Sequence, residues 1–255
     1  MLVIVDDDPH TSERISHAAE LAERFGAHLT GLCVSMVNGP EAKHHTARAR
    51  ALFDEEIGRR RISTEWRAAA DFPTDAAVVQ SRYTDLVVLG QLNPEEPLAP
   101  VNNPRPEDIV LSAGRPVLAI PYVGHYDAIG QRVLVAWDAS REASRSISDA
   151  MPLLASASAV TILTIDPATG RTEHGDIPGA DIALHLARHG VNTRVEKAPS
   201  GGIGIGDVLL SRASDLGADL LVMGAYGHSR VRELVLGGAT RTVLRSMTLP
   251  VFISH

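Results

Sequence analysis

The sequence predicts an α/β protein with two similar halves, each built on a doubly wound, parallel sheet. Short apolar segments such as Leu86–Leu89 and Leu220–Met223 contain no alternating polar residues, so both faces of these strands must be covered, as in a parallel sheet between helices. Longer segments with helical periodicity lie between the apolar ones, and right-handed crossovers through such helices produce a doubly wound sheet.

An internal repeat divides the chain into its two halves. Each half opens with an apolar strand that ends on an aspartate. Further along, Thr84–Gly90 is repeated as Ala218–Gly224, and Arg115–Ile120 is repeated as Leu249–Ile253. The spacing between matching segments stays nearly constant, as a duplication with a few small insertions requires.

In the first half, apolar segments alternate with amphipathic ones. The apolar segments predict strands at 2–5, 28–34, 63–68, 85–89 and 116–120. The amphipathic segments between them predict helices at 11–25, 42–60, 73–82 and 105–113. Two glycines and mixed polar residues then make Pro121–Gln131 a linker.

The second half repeats this order. Its strands are predicted at 132–137, 160–165, 192–198, 219–223 and 250–253. Its helices are predicted at 141–155, 179–189, 204–216 and 238–246. The two predicted domains are therefore 1–122 and 131–255.

Composition and charge exclude several functional classes. With 255 residues, of which 44% are apolar, the chain is long enough for two compact domains. The net charge is −7 and no block of basic residues interrupts it, so nucleic acid is not expected as a partner. No apolar run approaches the roughly 18 residues of a membrane span, and the first residues lack the basic flank of a signal peptide. With one cysteine, Cys33, a disulfide framework is excluded and a cytoplasmic protein is expected.

The loop after the fourth strand of the second half has the character of a polyphosphate-binding loop. Ligands of doubly wound sheets bind beyond the carboxyl ends of the strands, where the strand order reverses. If the first and fourth strands are neighbours there, Asp138 and this loop face the same crevice. Glycines let the backbone approach a ligand, and free N–H groups at a helix N-terminus attract anions. The loop residues with these properties are Gly224, Gly227, Gly237, Gly238 and Ala239. Thr240 could add a hydroxyl, and Arg230 or Arg241 a positive charge.

These features resemble the universal stress protein family in its tandem, two-domain form. The resemblance rests on the strand-terminal aspartates Asp6 and Asp138, on the spacing Gly224-x2-Gly227-x9-Gly237, and on the closing strand Leu249–Ile253. It covers nearly all of the chain. It implies an adenine nucleotide alpha hydrolase-like fold with five parallel strands in the order 3-2-1-4-5 and, in one branch of the family, ATP binding.

The resemblance also implies a nucleotide site in the second half. In the ATP-binding branch, the first-strand aspartate and the backbone at the end of the second strand hold the adenine and ribose, and the glycine loop holds the ribose and phosphates. The corresponding residues here are Asp138, Ile165, Gly224, Gly227, Gly237, Gly238 and Ala239. The family usually has serine or threonine where this chain has Gly238, and Thr240 could substitute for the missing hydroxyl. The expected ligand is ATP or another adenine nucleotide, with or without Mg²⁺.

The first half departs further from the family pattern. Gly90 is kept, but Asn93 stands in the place of Gly227, and Asn103-Pro104 in the place of Gly237-Gly238. Pro104 has no N–H to offer an anion, and the acidic residues of 91–105 would repel phosphate. We therefore expect this half to be a structural partner without a nucleotide site.

The family's dimer mode leads to an expectation about assembly. The closing strands 116–120 and 250–253 should pair, because an exposed apolar edge strand is a liability. The two halves would then form an intramolecular pseudo-dimer with pseudo-two-fold symmetry, and homo-oligomers are a further option.

Two other motifs are interpreted as structural, and Asp138 has a structural alternative. The glycine-rich run Ser200–Gly206 matches neither the dinucleotide-binding nor the P-loop spacing and is interpreted as a βα loop. His44 and His45 point in different directions on a helix, so they are interpreted as surface residues and not as a metal pair. Asp138 has an alternative role as a helix cap, although its pairing with an intact glycine loop favours a role in binding.

We expect a nucleotide-binding regulatory or protective module of the stress response, not an enzyme. The sequence shows no serine nucleophile elbow, no metalloprotease motif and no cysteine with a nearby histidine, so no catalytic residue and no metal ligand is assigned. One alternative is a ligand-free interaction scaffold, which Gly238 and the degenerate first loop motivate. The other is a nucleotide-hydrolysing enzyme, for which the sequence identifies no residue that would position a water.

Overall fold

The chain folds into two compact units, Met1–Tyr122 and Val123–His255. The structure is a computed structural model that describes residues 1–6, 8–35, 39–58, 60–93, 95, 103–166, 179–225 and 237–255. We refer to the two units as the N-terminal unit and the C-terminal unit. Across the described residues, none of the helices combines the length and the apolar character needed to cross a bilayer.

The N-terminal unit contains a parallel sheet flanked by helices. Its strands are β1 (Leu2–Ile4), β2 (Leu29–Ser35), β3 (Thr64–Ala70), β4 (Val87–Gly90) and β5 (Val117–Ile120). The helices in its described part are α1 (Thr11–Phe25), α2 (Pro40–Ile57), α3 (Pro73–Ser81) and α4 (Pro106–Ser112). The strand order is β3-β2-β1-β4-β5, and each neighbouring pair is parallel.

The C-terminal unit repeats this arrangement. Its strands are β6 (Arg132–Ala136), β7 (Ala159–Ile165), β8 (Thr193–Ala198), β9 (Leu220–Gly224) and β10 (Val251–Ser254). The helices in its described part are α5 (Arg141–Ser156), α6 (Ala180–Arg188), α7 (Ile205–Asp215) and α8 (Gly238–Ser246). The strand order is β8-β7-β6-β9-β10, and each neighbouring pair is parallel. If the strands are counted from β6 as the first of this unit, the order is the same as in the N-terminal unit.

The predicted fold class is confirmed, because each unit has five parallel strands in the order 3-2-1-4-5. Element ends differ from the predictions by a few residues. The second helix begins at Pro40 and not at residue 42, since proline fits the first turn of a helix, where its missing N–H has no intrahelical partner. The third strand extends to Ala70, which pairs with Ser35 at the end of β2.

The central strands form the core of each unit. Val87, Val88 and Leu89 of β4 are fully or almost fully buried, as are Leu220–Val222 of β9. Strands that are covered on both faces have no side for polar residues. This burial is the reason that short, uninterrupted apolar segments identified these strands in the sequence.

Close packing of two helices explains part of the glycine-rich run Ser200–Gly206. A Cβ on Gly206, near the start of α7, would lie 2.7 Å from the Cβ of Thr242 and 2.8 Å from the carbonyl oxygen of Ala239, both on α8. Only glycine allows this approach. Gly201 and Gly202 have φ values of 62° and 85° and form the preceding turn. These glycines therefore shape the βα connection and fix α8 against α7.

A single carboxylate fixes the start of β6. The Oδ1 atom of Asp219 accepts hydrogen bonds from the backbone N–H groups of Gly130 (2.8 Å) and Gln131 (2.9 Å), and its Oδ2 atom accepts one from Arg132 (2.9 Å). Burial raises the pKa of the Asp219 carboxyl, and the three N–H donors oppose that rise. The entry into β6 is thus tied to the start of β9, its neighbour in the sheet.

Candidate functional site

The candidate site lies in the C-terminal unit, where the strand order reverses. From β6 the chain continues to β7 and β8 on one side, and then returns to β9 and β10 on the other. β6 and β9 are direct neighbours, with Val135 opposite Val222. The carboxyl ends of β6 and β9 therefore border one crevice, which is where ligands bind in such sheets.

Asp138 follows β6 at this crevice and is exposed. Its Oδ1 atom accepts a hydrogen bond of 2.9 Å from the backbone N–H of Ser140. The cap of α5 is Ser140, whose Oγ atom accepts a hydrogen bond from the N–H of Ala143. Asp138 therefore is not the capping residue of α5. The helix-cap role that the sequence offered as an alternative for Asp138 is filled by Ser140.

Two non-glycine residues of the described part of the chain have a positive φ, and both follow strands at this end of the sheet. Ala139, directly after Asp138, has a φ of 60°, and Asp166, directly after β7, has a φ of 42°. Such conformations cost non-glycine residues about 1–3 kcal/mol and cluster at functional sites. They turn the chain sharply at the ends of β6 and β7. The predicted site residues Asp138 and Ile165 directly precede these two turns.

Asp166 is a polar residue at this crevice that the sequence interpretation missed. Its Oδ1 atom accepts a hydrogen bond of 3.1 Å from the backbone N–H of Ser200, and its own N–H donates to the carbonyl of Ala198. The Ser200 hydroxyl and N–H lower the pKa of the Asp166 carboxyl. Ile165 lies just before it and pairs with Ala198 of β8. An aspartate at the end of a strand, as at Asp138, was the signal available in the sequence.

Gly224 has a packing role at the end of β9. A Cβ at this position would lie 2.5 Å from the carbonyl carbon of Glu142 and 2.6 Å from the nitrogen of Ala143, both in the first turn of α5. The sequence interpretation explained this glycine by the approach of a ligand. The structure shows that it is required by the approach of a helix, and its contact with a ligand stays a prediction.

Glu142 is a second residue that the sequence interpretation missed. It is 5% exposed, lies in the first turn of α5, and is paired with Arg141, whose Nη2 atom lies 3.0 Å from its Oε1 atom. A carboxylate in the first turn interacts favourably with the helix dipole. The backbone and Cβ of Glu142 lie against Gly224 at the end of β9, and its carboxylate is paired with Arg141.

The N-terminus of α8 presents backbone N–H groups that have no partner within the helix. Gly237 precedes the helix without a side-chain cap, and the first intrahelical bond runs from Arg241 N–H to the carbonyl of Gly237. The N–H groups of Gly238, Ala239 and Thr240 therefore have no partner within the helix. A Cβ on Gly238 would have no atom of the described residues within 4 Å, so within that part of the chain this position is open.

Thr240 is buried in the first turn of α8. It is 1% exposed, and its Oγ1 atom has no hydrogen-bond partner among the described residues. Ser254 pairs with Gly224 at the end of β10. Its Oγ atom is also buried and has no hydrogen-bond partner among the described residues. Unpaired buried hydroxyls are costly, and such atoms at a strand and helix end are candidates for contact with a bound molecule.

The remaining predicted site residue lies outside the described residues. This is Gly227, which belongs to the segment 226–236 together with Arg230. Of the residues that the structure describes, Asp138, Ile165 and Gly224 follow or end β6, β7 and β9, while Gly237, Gly238, Ala239 and Thr240 form the start of α8.

The N-terminal unit has a different arrangement at its corresponding crevice. Asp6 follows β1, and its Oδ1 atom is bound by the Nη2 atom of Arg14, whose side chain is 2% exposed. The hydroxyl of Thr11 also donates to Asp6 Oδ1, at 2.5 Å, and Arg14 Nε donates to the carbonyl of Ile4 at 3.0 Å. A Cβ on Gly90 would overlap the Arg14 guanidinium. A buried cation thus lies between the ends of β1 and β4.

The C-terminal unit has no equivalent of this arginine at the matching position. Ser146 stands at the same distance in sequence from Asp138 as Arg14 does from Asp6. It is fully buried, and its hydroxyl donates to the carbonyl of Ala143. The sequence interpretation explained the loss of the first site by its proline-rich loop and did not identify Arg14.

One cysteine does have a histidine nearby, which corrects the sequence interpretation. The Sγ atom of Cys33 lies 3.8 Å from Nδ1 of His45 on α2. The thiol is almost fully buried, and buried cysteines of this kind are structural and unreactive. His44 is exposed, as expected. No group of three or more histidine, cysteine, aspartate and glutamate side chains with metal-binding geometry occurs in the described ranges.

Comparison with known proteins identifies a family and a fold. The model of the universal stress protein family matches residues 130–255. A universal stress protein from Synechocystis sp. is 47% identical over 45 residues, a stretch that covers 18% of this chain and 16% of that protein. The match thus spans less than a fifth of that relative's length.

Solved structures resemble the chain over nearly its whole length. A universal stress protein from Archaeoglobus fulgidus has a TM-score of 0.75 at 16% identity, with 99% of this chain and 95% of that chain covered. A protein of unknown function from Pseudomonas aeruginosa has a TM-score of 0.64 at 18% identity, with 99% and 92% covered. At these identities the likeness concerns the fold. The C-terminal unit, which the family model covers, therefore belongs to the universal stress protein family, and the N-terminal unit repeats its fold.

Proposed function

We propose that the C-terminal unit binds an adenine nucleotide, ATP or a close relative, with or without Mg²⁺. The observation that supports this most directly is the contrast between two equivalent aspartates. Asp138 is exposed at the crevice, while Asp6 is bound by the buried Arg14. An exposed carboxylate at a strand end can accept hydrogen bonds from ligand hydroxyl or amino groups.

The proposed binding mode follows from the donors and acceptors at the crevice. Asp138 would accept hydrogen bonds from the ribose or adenine, and the backbone around Ile165 would border the base. The free N–H groups of Gly238 and Ala239 would bind phosphate oxygens, aided by the helix dipole. The buried Thr240 hydroxyl would donate to the same oxygens, in place of the hydroxyl that Gly238 lacks.

We further propose that the protein is a cytoplasmic regulatory or protective module and not an enzyme. The N-terminal unit would serve as the structural partner in an intramolecular pseudo-dimer. A nucleotide-hydrolysing enzyme would need a base or a metal that positions water, and this role has no assigned residue.

A ligand-free scaffold of the same fold is the second candidate, and a specific observation favours it. Gly238 removes a side-chain donor from the start of α8, and Gly224 is already explained by its contact with α5. On this view, Gly224 is kept for helix packing, and the start of α8 has lost a side chain that would bind phosphate. The two candidates differ in one measurable property, the affinity for ATP.

Calorimetric titration with ATP and Mg²⁺, combined with mass spectrometry of nucleotide that co-purifies, tests the proposal. We expect one equivalent of nucleotide per chain. Asp138→Ala should weaken binding by about 10- to 100-fold, the value of a hydrogen bond to a charged group. The control is Asp54→Asn, which alters an exposed ion pair with Arg50 on α2 and should leave affinity unchanged.

Two results would contradict the proposal. Absence of binding at millimolar ATP would favour the scaffold. Steady release of ADP by the intact chain, lost in Asp138→Ala, would favour an enzyme.

A further inference from the structure

Two histidines lie at the end of α6: His185 in its last turn and His189, the residue that directly follows the helix. His185 and His189 are both exposed, their ring centroids are 4.9 Å apart, and the ring planes are tilted by 55°. Residues four apart lie one above the other on the same face of a helix. We propose that this pair is a surface site for a divalent transition-metal ion, with one nitrogen from each imidazole and water in the remaining positions.

The separation of the rings matches two imidazoles on one metal ion. With a metal–nitrogen bond of about 2.0–2.1 Å, the ion stands about 3.2 Å from each ring centroid. For bond angles between the square-planar and the tetrahedral value, the two centroids are then about 4.5–5.2 Å apart. The observed 4.9 Å falls within this range. Both side chains are exposed, so they can rotate within picoseconds to nanoseconds to turn one nitrogen of each ring towards the ion.

The backbone under the two histidines is fixed. Leu186, between them, is fully buried. The end of α6 is closed by hydrogen bonds from Gly190 N–H to the carbonyl of Ala187 (3.0 Å) and from Val191 N–H to the carbonyl of Leu186 (3.1 Å). Ligands on a rigid element lose little entropy when they bind. The negative end of the helix dipole at this terminus also favours a cation.

The donor set determines which ions are favoured. Imidazole nitrogens suit Cu²⁺, Ni²⁺ and Zn²⁺, with Cu²⁺ bound most tightly, and not Mg²⁺ or Ca²⁺, which take oxygen ligands. Asp181, one turn before His185, adds negative charge to the same face, and Arg188 opposes it. Because the described residues supply no third metal-binding side chain here, the ion would exchange readily. Neither histidine is among the residues assigned to the proposed nucleotide site.

The test is a calorimetric titration of the untagged, full-length chain with Cu²⁺. We expect one equivalent to bind, and His185→Ala and His189→Ala each to weaken binding by at least about tenfold. The matched control is His44→Ala on α2, because His44 and its neighbour His45 point in different directions. This variant should bind Cu²⁺ as the original chain does. Circular dichroism verifies that the variants, which change only exposed side chains, remain folded.

A second readout locates the ion. Paramagnetic Cu²⁺ should broaden the amide NMR signals of residues 181–191 first, and a chelator should restore them. Unchanged affinity in His185→Ala or His189→Ala would overturn the proposal, as would broadening that begins elsewhere. Failure to saturate below millimolar Cu²⁺ would also overturn it and leave the pair as an ordinary contact between two exposed rings.

Discussion

Arg14 forms a buried ion pair with Asp6 at the carboxyl end of β1, whereas the equivalent carboxylate in the second half, Asp138, is exposed. The guanidinium of Arg14 also donates to the carbonyl of Ile4 and lies against Gly90. The N-terminal unit thus satisfies its strand-end aspartate with its own side chain. The two halves therefore differ at the strand-end aspartate itself, in addition to their difference in the loop sequence after the fourth strand.

Arg14→Ser, which introduces the residue found at the matching position of the second half, should lower the free energy of unfolding by about 3–5 kcal/mol. Removing one partner of a buried pair leaves the other charge without compensation. Chemical denaturation measures this loss. The control Arg145→Ser breaks the more exposed pair with Asp149 on α5 and should cost about 0–1 kcal/mol. Equal losses in both variants would show that burial of the Arg14 pair contributes nothing.

Gly224→Ala should destabilise the protein by about 1–3 kcal/mol, because its Cβ would overlap the backbone of Glu142 and Ala143. Gly238→Ala is the matched control. There the Cβ meets no atom within 4 Å, and alanine in the first turn of a helix should stabilise by about 0.4–1 kcal/mol. Thermal or chemical unfolding measures both. Opposite signs are expected, and a neutral Gly224→Ala would argue against the close contact.

Gly238→Ser should tighten ATP binding relative to Gly238→Ala. Both variants fill the same open position, and only serine adds a hydroxyl that can donate to a phosphate oxygen. A gain of about 2- to 12-fold corresponds to one hydrogen bond of about 0.5–1.5 kcal/mol. Calorimetry with ATP measures it. Identical affinities in the two variants would show that the start of α8 does not contact the phosphates.

Thr240→Val should separate stability from binding. The hydroxyl is buried without a partner among the described residues, so an apolar side chain of the same shape should leave the free energy of unfolding unchanged or raise it. If the hydroxyl donates to the nucleotide, ATP affinity should fall by about 2- to 12-fold. Denaturation and calorimetry on the same sample measure the two quantities. A variant that is destabilised yet binds ATP normally would contradict both expectations.

Ser200→Ala should raise the pKa of the Asp166 carboxyl towards the ordinary value, because the Ser200 hydroxyl is the main cause of its lowered pKa. A carboxyl with a lowered pKa in the folded state adds stability above its unfolded pKa of about 3.9. That stability is lost as the pH falls through the folded pKa. NMR titration of Asp166 measures the change, and Ser156→Ala, on α5, should leave it unaffected. An unchanged pKa in Ser200→Ala would exclude this hydroxyl as the cause.

Much of the fold could be predicted from the sequence. The segment 238–246 was predicted as a helix and is α8 to the residue, because Gly237 precedes it and an apolar face follows. β4 and β9 were found because strands covered on both faces leave no polar alternation. The strand order followed from the resemblance to a family, since local patterns do not determine which strands are neighbours.

The chemistry of the two crevices was harder to predict. Arginine on an amphipathic helix is expected at the surface, and only the tertiary fold shows that Arg14 is buried against Asp6 and Gly90. For Gly224, glycine fits both the approach of a ligand and the approach of α5, and coordinates are needed to identify the second. Asp166 could have been found, because it ends its strand as Asp6 and Asp138 do.

The hydrogen bonds of Asp219 have a consequence for how the second half begins. One side chain collects the amides of Gly130, Gln131 and Arg132 and sets them beside β9. The alignment of the first strand with its neighbour is therefore specified from within this half, whatever length of chain comes before it. A domain that fixes the position of its first strand through its own side chain can follow connectors of different lengths. This property makes the domain well suited to tandem duplication.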